Sequence, residues 1–111
     1  MKNMELLEFI KARIDEKIGD DITVLDFRNQ NPFYDYAVIC SARNEAHASS
    51  IIDDLEEKCG AEHDIRLIDR HKDSEWYLIQ IDEILVHVFW GTARDYYALE
   101  ELWKDLLCKE N

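Results

Sequence analysis

The stretch EWYLIQIDEILVHVFW, residues 75–90, limits the possible folds more than any other part of the chain. Two apolar runs flank Asp82 and Glu83, and successive side chains of a strand point to opposite faces. A hairpin folded at Asp82-Glu83 therefore pairs Ile81 with Ile84, Ile79 with Val86 and Tyr77 with Val88 on one face, which is apolar throughout and suited to a core. The other face sets Trp76, Leu78 and Gln80 against Phe89, His87 and Leu85, mixing large aromatics with two polar groups. A face of that kind either lies under one of the chain's own helices or docks a partner through aromatic anchors, and on the residues alone both readings stand.

The rest of the chain supplies layers for this hairpin. Leu7, Ile10, Ile14 and Ile18 recur at helical spacing between about Asn3 and Ile18, with Gly19 where helices commonly stop. ITVLDF (Ile22 to Phe27) and YAVICS (Tyr36 to Ser41) read as strands on either side of the turn-forming RNQNPFYD. Ala48, Ile51, Ile52, Leu55 and Cys59 mark a second helix between a polar start near Asn44 and Gly60. DIRLID, residues 64–69, is a short strand before the hairpin. After the hairpin, Thr92 and Asp95 form a variant of the capping box, and Tyr96, Leu99, Leu102, Trp103 and Leu106 stripe a final helix. The order is αββαβββα. A strand, helix, strand segment favours a parallel neighbour pair while the hairpin is antiparallel, so the expectation is one α/β domain over residues 1–111, with a mixed sheet of about five strands packed with helices.

Charge narrows the partners. The 111 residues carry 25 acidic against 13 basic side chains, a formal charge of −12. That field repels the phosphate backbone that dominates nucleic-acid affinity, so direct DNA binding is disfavoured, and it favours a basic protein partner. No run of roughly 18 apolar residues is present to span a bilayer, and the acidic N-terminus does not read as a signal peptide, so a cytoplasmic location is expected. Cys40, Cys59 and Cys108 are widely separated, without a CxxC pair or tight Cys/His spacing, and read as reduced structural thiols.

Catalytic constellations are weak. His71-Lys72-Asp73 are merely consecutive, whereas phosphodiesterase chemistry needs spaced, framed residues. Asp15, Glu16, Asp20 and Asp21 cluster near a helix end and read as a solvated face. His87 has no serine or cysteine at an obvious partner position, and the chain has no glycine-rich phosphate loop. The expectation is a protein without catalytic residues, metal or cofactor.

DITVLDFRN, DYAVICS and EWYLIQIDEILVHVFWGTARDYYALEELWKD together resemble the ribosomal silencing factor family, also called RsfS or Iojap, from Asp21 to Asp105. The most specific part is the frame of VHVF, Arg94, Tyr97, Leu99-Glu100 and Leu102-Trp103, with Trp76 one strand earlier. The chain departs from the family's usual loops at Ala42-Arg43-Asn44, Asp69-Arg70, Asp82-Glu83 and Gly91-Thr92-Ala93. The resemblance implies a nucleotidyltransferase-like topology without the catalytic apparatus. It also implies binding to the large ribosomal subunit at ribosomal protein fourteen (uL14), steric exclusion of the small subunit, repression of translation under nutrient limitation, and a homodimer of the free chain. The implied partner surface comprises Trp76, Leu78, His87 and Phe89 as apolar area, Asp69, Asp82 and Glu83 facing basic side chains, and Arg94 and Tyr97 from the last segment. Two other classes remain: a metal-dependent nucleotidyl- or phosphoryl-transfer enzyme, which would need carboxylates clustered at strand ends, and a dimeric scaffold.

Overall fold

The hairpin forms in the expected register. Strands β4 (Trp76–Ile81) and β5 (Ile84–Phe89) run antiparallel, with Ile81 opposite Ile84, Ile79 opposite Val86 and Tyr77 opposite Val88. Asp82 enters the turn at φ 50°, a left-handed conformation that Asp tolerates better than most side chains. Its carboxylate is fixed from the far side of the turn: Oδ1 accepts from the Asp64 N–H at 3.1 Å and Oδ2 lies 2.8 Å from His63 Nδ1. The Asp82 N–H donates in return to the Asp64 carbonyl at 2.8 Å, so the turn is tied to the loop leading into β3.

The computed structural model describes residues 2–28, 35–71, 73 and 75–91. Before the hairpin come α1 (Lys2–Glu16), β1 (Asp20–Asp26), β2 (Tyr36–Ser41), α2 (Glu45–Cys59) and β3 (Ile65–His71). The final helix expected from the sequence, with Arg94 and Tyr97, lies outside the described residues. The strands form one mixed sheet in the order β1-β2-β5-β4-β3, so the α/β class and the strand count are as expected. The parallel pair is not the one that local order suggests. The strands flanking α2 do not pair; β2 runs parallel to β5, from Tyr36 opposite Ile84 to Ser41 opposite Phe89, and β3 lies antiparallel to β4 at the sheet edge. Composition explains the swap. YAVICS and ILVHVF can be buried on both faces, as central strands require, whereas Arg66, Asp69 and Arg70 suit β3 to an edge. One extra residue bulges β3 between Ile65 and Leu67, which lets Ile65 and Ile68 both pack towards the core.

Both described helices cover the same side of the sheet. Leu7, Ile10 and Ile14 of α1 and Ala48, Ile51, Ile52, Leu55 and Cys59 of α2 pack on Val24, Val38, Ile79, Ile81, Val86 and Val88. A fully buried Leu or Ile contributes roughly 1.5–3 kcal/mol, so this layer dominates stability. Polar clamps set the angles. Arg13 makes a two-pronged contact with Asp54 at 3.0 and 2.8 Å, joining α1 to α2. Arg70 reaches Ser49 and Asp53 of α2 while its guanidinium lies 5.1 Å over the Tyr77 ring, which fastens the edge strand to the helix layer. Asn44 caps α2 by accepting from the His47 N–H at 2.8 Å. His47 itself bridges the helices: Nδ1 accepts from the Arg43 N–H and Nε2 lies 2.6 Å from the Lys17 carbonyl. Cys40 and Cys59 are buried free thiols, and burial pushes Cys59 up to about 11, which suits a structural role.

Ile18 departs from its expected place in the apolar stripe. The helix ends at Glu16, and Ile18 sits beyond it, 66% exposed, with φ 62°. The chain turns back here towards β1. Gly19 passes so close to α1 that a Cβ there would stand 2.4 Å from Ile14 Cγ2, so the residue after the reversal must be glycine. The reversal is held by Ile18 N–H to the Asp15 carbonyl and Gly19 N–H to the Ile14 carbonyl. A β-branched residue is poorly suited to the left-handed region, at a cost on the order of 1–2 kcal/mol. Ile18→Asn should therefore stabilise the protein by roughly 1 kcal/mol, read as a rise of about 4 °C in the thermal midpoint. A fall in midpoint would show that the exposed Ile side chain holds contacts outweighing the backbone strain.

Candidate docking face

Sheet register collects the sequence's candidate residues on the face opposite the described helices. Asp69 stands opposite Leu78, Leu78 opposite His87, His87 opposite Ile39 and Ile39 opposite Thr23, a row that crosses the whole sheet. A second row runs Leu67, Gln80, Leu85, Ala37 and Leu25, and a third sets Trp76 beside Phe89 and Ser41. Asp69, Trp76, Leu78, His87 and Phe89 thus share one surface, with Asp82 and Glu83 at the hairpin end of it. Leu67 belongs to this face and is 40% exposed, though the sequence reading passed over it. The signal was available, since Leu67 and Asp69 are two apart in one strand and must point the same way.

Leu25, Phe27, Ala37, Ile39 and Phe89 form a buried cluster here, separate from the main core, with Trp76 and Leu85 packed half-buried against it. Among the described residues, no helix contributes to that cluster. Trp76 organises the aromatic part. Its ring stacks at 5.9 Å on Phe89 and at 5.7 Å on His87, and His87 and Phe89 lie nearly parallel at 6.2 Å. The Trp76 indole N–H donates to His87 Nδ1 at 3.1 Å. His87 is only 8% exposed, and burial alone pushes its imidazole down to about 4, so the ring is neutral at ordinary pH.

The acidic residues divide by environment. Asp82 spends its carboxylate on Asp64 and His63, and only 14% of its side chain is exposed. Glu83 is more open and pairs with Arg66 at 3.2 Å, an exposed contact worth little in water. Asp69 is half-exposed on the face itself. On the opposite side, an open groove of about 560 Å³ runs along α2, lined by Lys17, Glu45, Ser49, Ser50, Asp53 and Asp54 among others. Three of its acids are already engaged, Asp54 by Arg13, Asp53 by Arg70 and Glu45 by the Tyr77 hydroxyl. Among the described residues, no three His, Cys, Asp or Glu side chains converge in a way suited to a metal ion. None of the described helices is long and apolar enough to cross a membrane.

Comparison with known proteins bears on this arrangement. A family described as "Ribosomal silencing factor during starvation" matches residues 1–110. The ribosomal silencing factor RsfS of Halalkalibacterium halodurans is 28% identical over 106 residues, covering 95% of this chain and 91% of its own, and that of Bacillus subtilis is 26% identical over 106 residues, covering 95% and 90%. An Iojap-related mitochondrial protein of Arabidopsis thaliana is 30% identical over 90% of this chain, which spans 56% of that longer protein. Among solved structures, a Chromobacterium violaceum protein superposes with a TM-score of 0.85 at 24% identity, covering 94% of this chain and 88% of its own, so it shares the fold. A Bacillus halodurans protein superposes with a TM-score of 0.78 at 27% identity, covering 90% and 94%.

His87 makes the stability depend on pH in a definite direction. An unfolded imidazole takes up a proton near 6.5, whereas the folded one resists until about 4. Within that window the unfolded state binds more protons, so the contribution of neutral His87 is complete above about 6.5 and is lost as pH falls towards 4. His87→Phe keeps the ring stack and cannot titrate. Urea unfolding of both proteins across this window should show the wild type losing stability relative to the variant, by up to about 1.4 kcal/mol per pH unit. Parallel pH curves would mean that His87 is solvated in the fold.

Proposed function

Because the chain belongs to the ribosomal silencing factor family, we propose that it represses translation by occupying the large ribosomal subunit at ribosomal protein fourteen and so excluding the small subunit. The observation that supports this reading is Trp76, a half-buried tryptophan on the sheet face that carries Asp69, Leu78, His87 and Phe89, of which Leu78, His87 and Phe89 are already buried within the chain. Aromatic side chains buried at an interface often supply 2 kcal/mol or more each. Trp76 is the natural anchor, being half-buried, stacked on both aromatic neighbours and held by its hydrogen bond to His87. Its ordering is already complete in the free protein, which lowers the entropic penalty of docking.

Charge supplies the approach. A net charge of −12 draws in a basic ribosomal protein and accelerates encounter, with Asp69 and Glu83 at the edge of the contact tuning rate and salt sensitivity. The mechanism requires no bond to be made or broken. Two large bodies cannot hold the same surface, so a protein bound where the small subunit must seat inhibits joining in proportion to its occupancy. The reading is of a regulator without catalytic chemistry, acting in the cytoplasm.

Trp76→Ala should leave the domain folded, since the main core beneath the helices is untouched, and should weaken binding to purified ribosomal protein fourteen by about 30-fold, the equivalent of 2 kcal/mol. The same variant should fail to prevent joined ribosomes from forming when large and small subunits are mixed and sedimented. Affinity and joining at wild-type levels, with the variant folded by circular dichroism, would refute this docking face.

A further inference from the structure

Glu75 stands next to Trp76 in the chain and departs from strand geometry. Its backbone sits at φ 59°, in the left-handed region that suits few side chains, directly before β4 opens with Trp76. Two contacts hold it there. Its carbonyl accepts from the Trp90 N–H at 3.2 Å, and its carboxylate lies so close over Gly91 that a Cβ on Gly91 would overlap it. Gly91 is itself at φ 65°, just beyond Phe89, which stands opposite Trp76 in the hairpin ladder. The start of β4 and the end of β5 thus close on one carboxylate, at the end of the sheet that carries Trp76. Backbone strain of this kind persists where the surroundings enforce it, and it gathers at functional sites. Exposure also sets Glu75 apart. Leu78, His87 and Phe89 are buried within the chain, whereas Glu75 and Trp76 are both partly exposed. Asp82 is engaged by His63 and Asp64, and Glu83 by Arg66, while no ion pair among the described residues holds the Glu75 carboxylate.

We propose that Glu75 is a specificity-determining acid of the docking surface, pairing with a lysine or arginine side chain of the protein partner beside the seat of Trp76. The inference rests on the docking reading given above and adds a residue to it. Exposed ion pairs ordinarily contribute little, because two flexible side chains must be ordered and water screens their charges. Both losses are smaller at this position. The carboxylate is already seated against Gly91, so little of its freedom remains to be lost, and a tryptophan docking next to it removes water from the pair. The chain's net charge of −12 favours a cation as the counterpart, and an acid fixed beside the apolar anchor rejects a partner that matches the anchor's shape but presents an acid there.

The test is calorimetric binding of the full chain to purified ribosomal protein fourteen at low and high salt, comparing wild type, Glu75→Gln, Glu75→Asp and Trp76→Ala. Glu75→Gln keeps the shape of the side chain and removes its charge. It should show wild-type circular dichroism, bind about 10-fold more weakly at about 50 mM salt, and approach wild-type affinity at about 500 mM, where screening is strong. Glu75→Asp keeps the charge and should bind closer to wild type than Glu75→Gln at the lower salt. Equal affinities of wild type and Glu75→Gln at low salt, with Trp76→Ala about 30-fold weaker, overturn the inference and leave the docking reading intact. A loss of the same size at both salts means that the side chain acts through shape, and it overturns the inference as well. Absence of any complex with the wild-type chain overturns the docking reading itself, and the inference with it.

Discussion

The parallel ladder between Tyr36–Ser41 and Ile84–Phe89 determines where everything else in this fold can go. It joins segments that are separated in the chain by α2, β3 and β4, and the closure entropy of such a loop grows only slowly with its length. Burial on both faces outweighs that cost. Val38, Cys40, Val86 and Val88 turn towards the helices, while Ala37, Ile39 and Phe89 turn the other way into the second cluster. Once β5 sits in the middle, β4 follows by its tight turn, and β3 is left at the edge where its charged side chains meet water. The chain between β2 and the far side of the sheet must cross over one face, and α2 makes that crossing with α1 packed beside it. The opposite face therefore presents the alternate residues of every strand together.

Much of this was legible in the sequence because it is local. The hairpin register follows from period-two alternation and a two-residue turn; Asn44 could be read as a cap because a side-chain acceptor before an apolar helical stripe has few other uses. The parallel partner of YAVICS was not legible, since a strand's pattern says which face is buried and nothing about which remote strand lies beside it. Local order favoured the strand after α2, and burial of both faces chose β5 instead. Ile18 misled for a related reason. Its spacing continues the α1 stripe, but the helix ends at Glu16 and the chain turns back against Ile14 at Gly19, a close approach invisible in periodicity. For the docking face, alternation placed Trp76, Leu78, His87 and Phe89 together, whereas the addition of Leu67 and Asp69 depends on how the bulged edge strand meets β4.

Acidity is likewise less uniform than a net charge suggests. Asp54 is clamped by Arg13, Asp53 by Arg70, and Asp82 by the backbone and ring around His63 and Asp64. These carboxylates hold elements in place. Asp82 illustrates the point: the turn needs a residue that tolerates a left-handed backbone, and its carboxylate then ties the turn to the preceding loop. Glu83, at the hairpin end, is more exposed, and its pairing with Arg66 contributes little to stability in water.

The environment of His87 argues against proton transfer. A general acid or base works best when its proton affinity lies near the operating pH, and burial has moved this imidazole well below it, to about 4. The same burial suits a structural role. The neutral ring stacks against Trp76 and accepts the indole N–H at Nδ1, so a polar group inside an apolar sheet face has a partner for that atom. The contact joins residues of adjacent strands, Trp76 on β4 and His87 on β5, so its geometry is as rigid as the hairpin register that positions them.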